Sequence, residues 1–271
     1  MPPVRIGAVS YLNSRPLVRG LERWPDRFAV RYDLPSRCAA LLGERRIDLG
    51  LVPSIEYLRG DYFVVPDIGV VSDGAVESVA LFAHRPMDAV RSIALDTSSR
   101  TSVALVRVLC ERWFGIRPEL VEHAPDLPAM LARADAALLI GEPALFAGYE
   151  RLGLAKIDLG SVWKTMTGLP FVYAFWAGHP DAIDAEGVAR LQQARDEGAG
   201  AVDDVARQFF PDDVARQAAG ARYLRERIRY RLGPREQQGV ERFLELAVEV
   251  GVAPVARPLR FYESRTVHSV Q

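Results

Sequence analysis

The chain has 271 residues, 49% hydrophobic and 25% charged, and its 34 basic and 35 acidic side chains leave a net charge of −1. That length suits one large domain or two ordinary ones with a sizeable core. The near-neutral charge excludes a polyanion-binding surface as the main purpose, so no nucleic-acid partner is predicted. Basic character is almost wholly arginine, Lys156 and Lys164 being the only lysines. The two cysteines, Cys38 and Cys110, lie in apolar, helical-looking sequence and are expected as reduced core thiols rather than a disulfide. No apolar run approaches the ~18 residues of a membrane span. Residues 1–7 lead straight into strand-like sequence with no signal-peptide pattern, which predicts a cytoplasmic protein.

In chain order, strands are predicted at 5–9, 29–32, 49–52, 76–83, 92–95, 119–122, 136–140, 155–158 and 171–176. Helical patterns fall between them, which argues for an α/β fold with mostly parallel strands. Val103, Val106, Cys110 and Trp113 mark one helix face. Glu142 opens another helix, with Pro143 near its first position. After Gly178 the sequence is almost entirely helical and ends in a helix after Pro234 with Val240, Phe243, Leu244 and Ala247 at core spacing. The hexapeptide Asp-Asp-Val-Ala-Arg-Gln at 203–208 recurs at 212–217, too short an echo to signal a repeat array.

Two strand-like runs, 76–83 and 169–177, each end at a His-containing turn and bracket about ninety residues of self-contained βα units. One domain inserted into another is the simplest account. The first lobe would hold residues 1–84 plus 180–271 and the second 85–179, with a ligand cleft at the crossings.

The strongest local signal is Asp96-Thr97-Ser98-Ser99-Arg100-Thr101-Ser102, five hydroxyls and an arginine between a strand and an apolar helix. A helix N-terminus carries unpaired N–H groups and partial positive charge, so this turn suits a carboxylate or phosphate. The plainer reading is a capping cluster with Ser98 or Ser99 as N-cap.

Tyr11-Leu12-Asn13, Val52-Pro53-Ser54-Ile55-Glu56-Tyr57, Thr97–Ser102, Leu139-Ile140-Gly141-Glu142-Pro143-Ala144-Leu145 and the run from Asp158 to Val172 stand in this order between about residues 5 and 180. Together they resemble the chorismate dehydratase family, which opens the futalosine route to menaquinone. The Ser-Pro-Cys-Pro-Asn-Asp opening of the sister enzyme that makes dihydroxynaphthoate is absent. The resemblance implies a two-lobed type II periplasmic-binding-protein-like fold and elimination of water from chorismate to 3-[(1-carboxyvinyl)oxy]benzoate. Aromatisation would drive that reaction without metal or redox cofactor. His84, His123, His179 and His268 are scattered, and there is no G-x-S-x-G elbow, P-loop or G-x-G-x-x-G.

Such a site must anchor a carboxylate, remove the C3 proton and help hydroxide leave. Thr97, Ser98, Ser99, Thr101 and Ser102 are expected to hold one carboxylate, with Tyr11 and Ser54 as further substrate contacts. The resemblance places Asn13 and Ser78 in the pocket as catalytic residues; an Asx turn and a buried hydroxyl are their plainer readings. Glu56 and Glu142, at strand-to-helix turns, are the acid–base candidates, or else complement helix N-termini. The substrate's own enolpyruvyl carboxylate is the other candidate base. Arg15 could reach the second carboxylate. Trp163, Lys164 and Tyr173 are more simply packing or surface residues. The alternative function is a small-carboxylate receptor or sensor on the same fold.

Overall fold

Short apolar runs build two five-stranded sheets in the computed structural model, which describes residues 2–264. Lobe one begins with β1 (Val4–Val9), β2 (Phe28–Asp33), α1 (Pro35–Gly43), β3 (Leu49–Pro53) and β4 (Phe63–Ser72). The chain then crosses to lobe two, built of β5 (Val79–Ala83), β6 (Ser92–Asp96), α2 (Arg100–Leu109), β7 (Glu119–His123), α3 (Leu127–Leu131), β8 (Ala136–Ile140), α4 (Gly141–Leu145), β9 (Ala155–Asp158) and α5 (Leu159–Thr167). It returns through β10 (Phe171–Gly178) and closes with α6 (Ala185–Ala199), α7 (Val202–Phe209), α8 (Val214–Glu226) and α9 (Pro234–Glu249). Sheet one runs β2-β1-β3-β10-β4 and sheet two β7-β6-β8-β5-β9.

The expected parallel character holds for only part of each sheet. β1 with β2 and β3, and β6 with β7 and β8, are parallel. The strands that follow the crossings, β5 and β10, run antiparallel to both neighbours. The chain passes between sheets at 73–78 and again at 168–170. Both passages come earlier than the 84/85 and 179/180 boundaries read from the sequence, and they put residues 79–83 in sheet two and 171–178 in sheet one.

The sequence reading contains no strand at Phe63–Ser72. Pro66 and Asp67 interrupt its apolar run, yet β4 is the sheet edge, where a missing N–H costs little. Asp67 takes φ +61° beside a register shift in the pairing with β10, the geometry of a bulge. The face predicted through Trp113 also ends early, because α2 passes at Cys110 into a π-turn and leaves Trp113 exposed.

Alternation in the central strands decides which core each side chain joins. Val79, Leu81 and Ala83 of β5, with Leu138 and Ile140 of β8, face the large core shared by both lobes. Ala80, Phe82, Ala137 and Leu139 face a smaller cluster under α3 with Leu127 and Met130. Both cysteines are free and buried. Trp163 is core, edge-on to Phe171 and Phe243, with Nε1 donating to Pro170 O (3.2 Å). Among the described residues no helix is long and apolar enough to cross a membrane, and no three His, Cys, Asp or Glu side chains cluster as metal ligands. His268 lies outside the described residues.

Candidate active site

The ends of β1, β3, β6 and β8 converge where the lobes meet, so the turns after these strands form a seam of polar contacts. Hydrogen bonds cross it at several points. Tyr11 Oη donates to Ser98 Oγ (2.9 Å), Ser36 N to Ser98 O (3.0 Å) and Leu12 N to Glu142 Oε1 (2.7 Å). Ile55 N donates to Thr101 Oγ1 (3.2 Å), and Arg100 Nη1 to Glu56 Oε2 (2.8 Å).

Along this seam lies one cavity lined from both lobes. Tyr11, Asn13, Ser14, Pro35, Pro53 and Tyr173 come from lobe one or its return strand, and Ser99, Ser102, Ile140 and Gly141 from lobe two. Only about 40 Å³ of it is open to the centre of a water molecule. That is room for a few waters and less than a substituted ring occupies, with the two lobes in contact along the seam.

Gly141 fits this contact for a definite reason. Its φ is +63°, and a Cβ there would lie 2.8 Å from the Tyr11 ring. Only glycine takes that backbone conformation cheaply while letting the opposite lobe approach.

The hydroxyl-rich turn divides between the two roles foreseen for it. Ser99 is the N-cap of α2, its Oγ accepting from Ser102 N (3.4 Å) and Ser102 Oγ (3.1 Å), and both serines also line the cavity. Ser98 takes the Tyr11 hydroxyl. Thr101 does not line the cavity: it is fully buried against Ser54, whose Oγ donates to Val172 O (2.8 Å) and lies 3.3 Å from Thr101 Oγ1. Thr97 is half-buried and lines no part of the cavity. Arg100, expected beside an incoming anion, turns instead to Glu56.

The two glutamates differ sharply. Glu56 is buried between Arg100 and Arg59, its Oε1 lying 3.3 Å from Arg59 Nε, and neither carboxylate oxygen reaches the cavity. Glu142 does not line the cavity either, although its neighbour Gly141 does; it holds the Leu12 amide across the seam, and burial raises its carboxyl above the ordinary range against the pull of that hydrogen bond.

Asn13 reaches the cavity wall, its Oδ1 accepting from Ser14 Oγ (3.1 Å). Ser78, almost wholly buried, comes immediately before β5 and adjoins the cavity-lining Val79 and Gly141. Its carbonyl accepts from Gly141 N (2.8 Å) and its Oγ lies 2.6 Å from the Tyr223 hydroxyl. Arg15 stacks over Tyr32 at 4.4 Å and Phe209 at 5.3 Å, and Lys164 pairs with Asp73 (2.5 Å). Tyr173 lines the cavity with its hydroxyl 3.0 Å from Ser72 Oγ.

Two residues escaped the sequence reading. Asp96 ends β6 almost wholly buried, with Oδ1 accepting from Ser98 N (3.0 Å) and Oγ (2.5 Å) and Oδ2 without a partner. Burial raises its carboxyl as well. It shapes the loop that grips Tyr11, whose own phenol burial pushes up to about 12. Its signal was in view, as the first residue of the hydroxyl motif. Tyr223, on α8, carried none.

Two α/β lobes joined by two crossings, with a cavity between the strand ends, define a periplasmic-binding-protein-like architecture. A Candida albicans protein described as having the generic periplasmic binding protein structural fold superposes with a TM-score of 0.68 at 12% identity, covering 100% of both chains. Residues 4–249 match a family model described as menaquinone biosynthesis, and the chain belongs to that family. It is 31% identical to the chorismate dehydratase of Thermus thermophilus over 277 residues, 95% of this chain and 100% of that one. Against the chorismate dehydratase of Campylobacter jejuni it is 30% identical over 174 residues, 62% of this chain and 64% of that one.

Proposed function

We propose that the chain is a chorismate dehydratase, a carbon–oxygen lyase that removes water from chorismate to give 3-[(1-carboxyvinyl)oxy]benzoate. The observation that carries this reading is similarity to a chorismate dehydratase along that enzyme's whole length. The cavity agrees with it chemically. Its polar lining is hydroxyls and one amide, Tyr11, Asn13, Ser14, Ser99, Ser102 and Tyr173, which suits a dianion better than a carboxylate-lined pocket would.

In this reading Ser99 and Ser102, at the N-terminus of α2, bind one carboxylate and stabilise charge that spreads onto it as C3–H is broken. The electron pair enters the ring, the C4–O bond breaks, and the departing hydroxide leaves as water. Glu142, with its raised carboxyl, suits proton donation to that oxygen better than proton removal, and the enolpyruvyl carboxylate of the substrate serves as the base. Asn13 orients the ring from the opposite lobe. Closure across the seam excludes water and strengthens each of these contacts.

The test is incubation of the purified, metal-chelated protein with chorismate, followed by mass spectrometry. Loss of one water with the enolpyruvyl group retained supports the reading. Tight binding without turnover would overturn it in favour of a receptor.

A further inference from the structure

The helical tail contributes one polar contact beside the cavity. Tyr223 of α8 is buried, and its hydroxyl meets Ser78 Oγ at 2.6 Å from a position 145 residues further along the chain. The Asn13 side chain lies near the same phenol oxygen and favours its charged form, while burial outweighs this and keeps the phenol neutral. Thus a residue of α8 stands between the two residues that the family resemblance places in the pocket.

The donors and acceptors fix a direction. Asn13 Oδ1 already accepts from Ser14 Oγ, so only its amide nitrogen is free to turn toward the Tyr223 oxygen. A phenol is far more acidic than an aliphatic alcohol, so in the short Tyr223–Ser78 contact the tyrosine donates and the serine accepts. The Ser78 proton is then the one at the end of the chain with no partner assigned. A run of hydrogen bonds pointing one way polarises each successive donor, which makes that last hydroxyl a better donor than an isolated serine.

We propose that Tyr223 is a positioning residue that aims and polarises the Ser78 hydroxyl toward the oxygen leaving C4 of the substrate. This rests on the dehydratase reading. No proton changes hands in this step: Ser78 donates a hydrogen bond to an oxygen gaining charge as its bond to carbon breaks. The helical tail is therefore part of the reacting machinery through one hydroxyl.

The test compares wild type, Tyr223→Phe, Ser78→Ala and the double variant in chorismate turnover, with circular dichroism to check folding. Tyr223→Phe removes one oxygen and keeps the ring. It is expected to lower kcat ~10- to 100-fold with KM within about threefold, and the double variant should be no slower than Ser78→Ala alone. A kcat within about twofold of wild type, or losses that multiply in the double variant, overturns the proposal. Should Tyr223→Phe not fold, 3-fluorotyrosine at 223 keeps the shape and makes the phenol more acidic. It should change kcat with Ser78 present and not in Ser78→Ala; equal effects in both backgrounds overturn the proposal. A folded wild type inert toward chorismate overturns the dehydratase reading itself and this role with it, whereas an active wild type matched by Tyr223→Phe overturns this role alone.

Discussion

Glu56 and Glu142 occupy matching places, each just past the end of a strand and each reaching across the seam, and they meet different fates. Glu56 finds two arginines, one from each lobe, and with Ser54, Ile55 and Thr101 it belongs to a half of the seam whose polar groups pair across the lobes, although Oε1 makes an ion pair without a hydrogen bond. Glu142 finds a backbone amide and little else, in the half where Tyr11, Asn13, Ser99 and Ser102 surround a cavity. Pairing from lobe to lobe is the mark of a joint, and polar groups facing a cavity are the mark of a site for a ligand. Substitutions in the open half should therefore cost turnover, and those in the closed half should cost stability.

The largest effect is expected at Asn13. Asn13→Leu keeps the volume near that of the amide and removes both its donor and its acceptor, and kcat should fall ~10²-fold or more. Steady-state assay with chorismate measures it, and retained turnover would break the assignment of the open half to the reaction. Gly141→Ala comes next. The new methyl must push Tyr11 away and strain a left-handed backbone, so the closed state loses about 1–3 kcal/mol and kcat/KM falls ~5- to 100-fold, read from steady-state kinetics.

Much of this geometry was legible and some was not, for physical reasons. Short apolar runs located nine of the ten strands among the described residues, because a buried strand must alternate or be apolar throughout. β4 was hidden because Pro66 and Asp67 are tolerated only at an edge with a bulge, and edge position is a property of the whole sheet. The hexapeptide shared by 203–208 and 212–217 shows the same limit. Val205 packs inside α7 at 5% exposure while Val214 stands at the start of α8 at 78%. Local sequence is identical, so neighbours alone decide. At the site, the hydroxyl turn could be recognised by composition, but which hydroxyls face the cavity depends on the opposite lobe. Ser54 claims Thr101 and Tyr11 claims Ser98, leaving Ser99 and Ser102. Tyr223 lay in a helix whose pattern shows only packing.

In the closed half, Glu56→Gln leaves Arg100 and Arg59 without their counter-charge. Both arginines reach solvent, so the loss is below that of a fully buried pair, about 1–3 kcal/mol by urea unfolding, and it should exceed any loss in turnover when both are expressed in kcal/mol. A stable variant that cannot turn over would reverse the contrast between the halves.

Glu142→Gln gives the smallest and most diagnostic stability effect, because its sign is opposite. The amide oxygen of the substituted side chain can still accept from Leu12 N, while the cost of burying a charge disappears. The folded carboxyl titrates above its ordinary 4.5, chiefly through burial. Below pH 4.5 folded and unfolded chains both hold the proton and Glu142 contributes no pH dependence. As pH rises from there to the folded value, the unfolded state gives up its proton and the folded state keeps it, so wild-type stability falls; above the folded value the loss is complete and constant. The glutamine variant lacks this fall. Its melting temperature relative to wild type should therefore climb through that window and level off. Asp96 shifts in the same direction in both proteins, so it cancels in the difference. A difference that shrinks with rising pH would mean that Glu142 is stabilised as an anion in the folded chain.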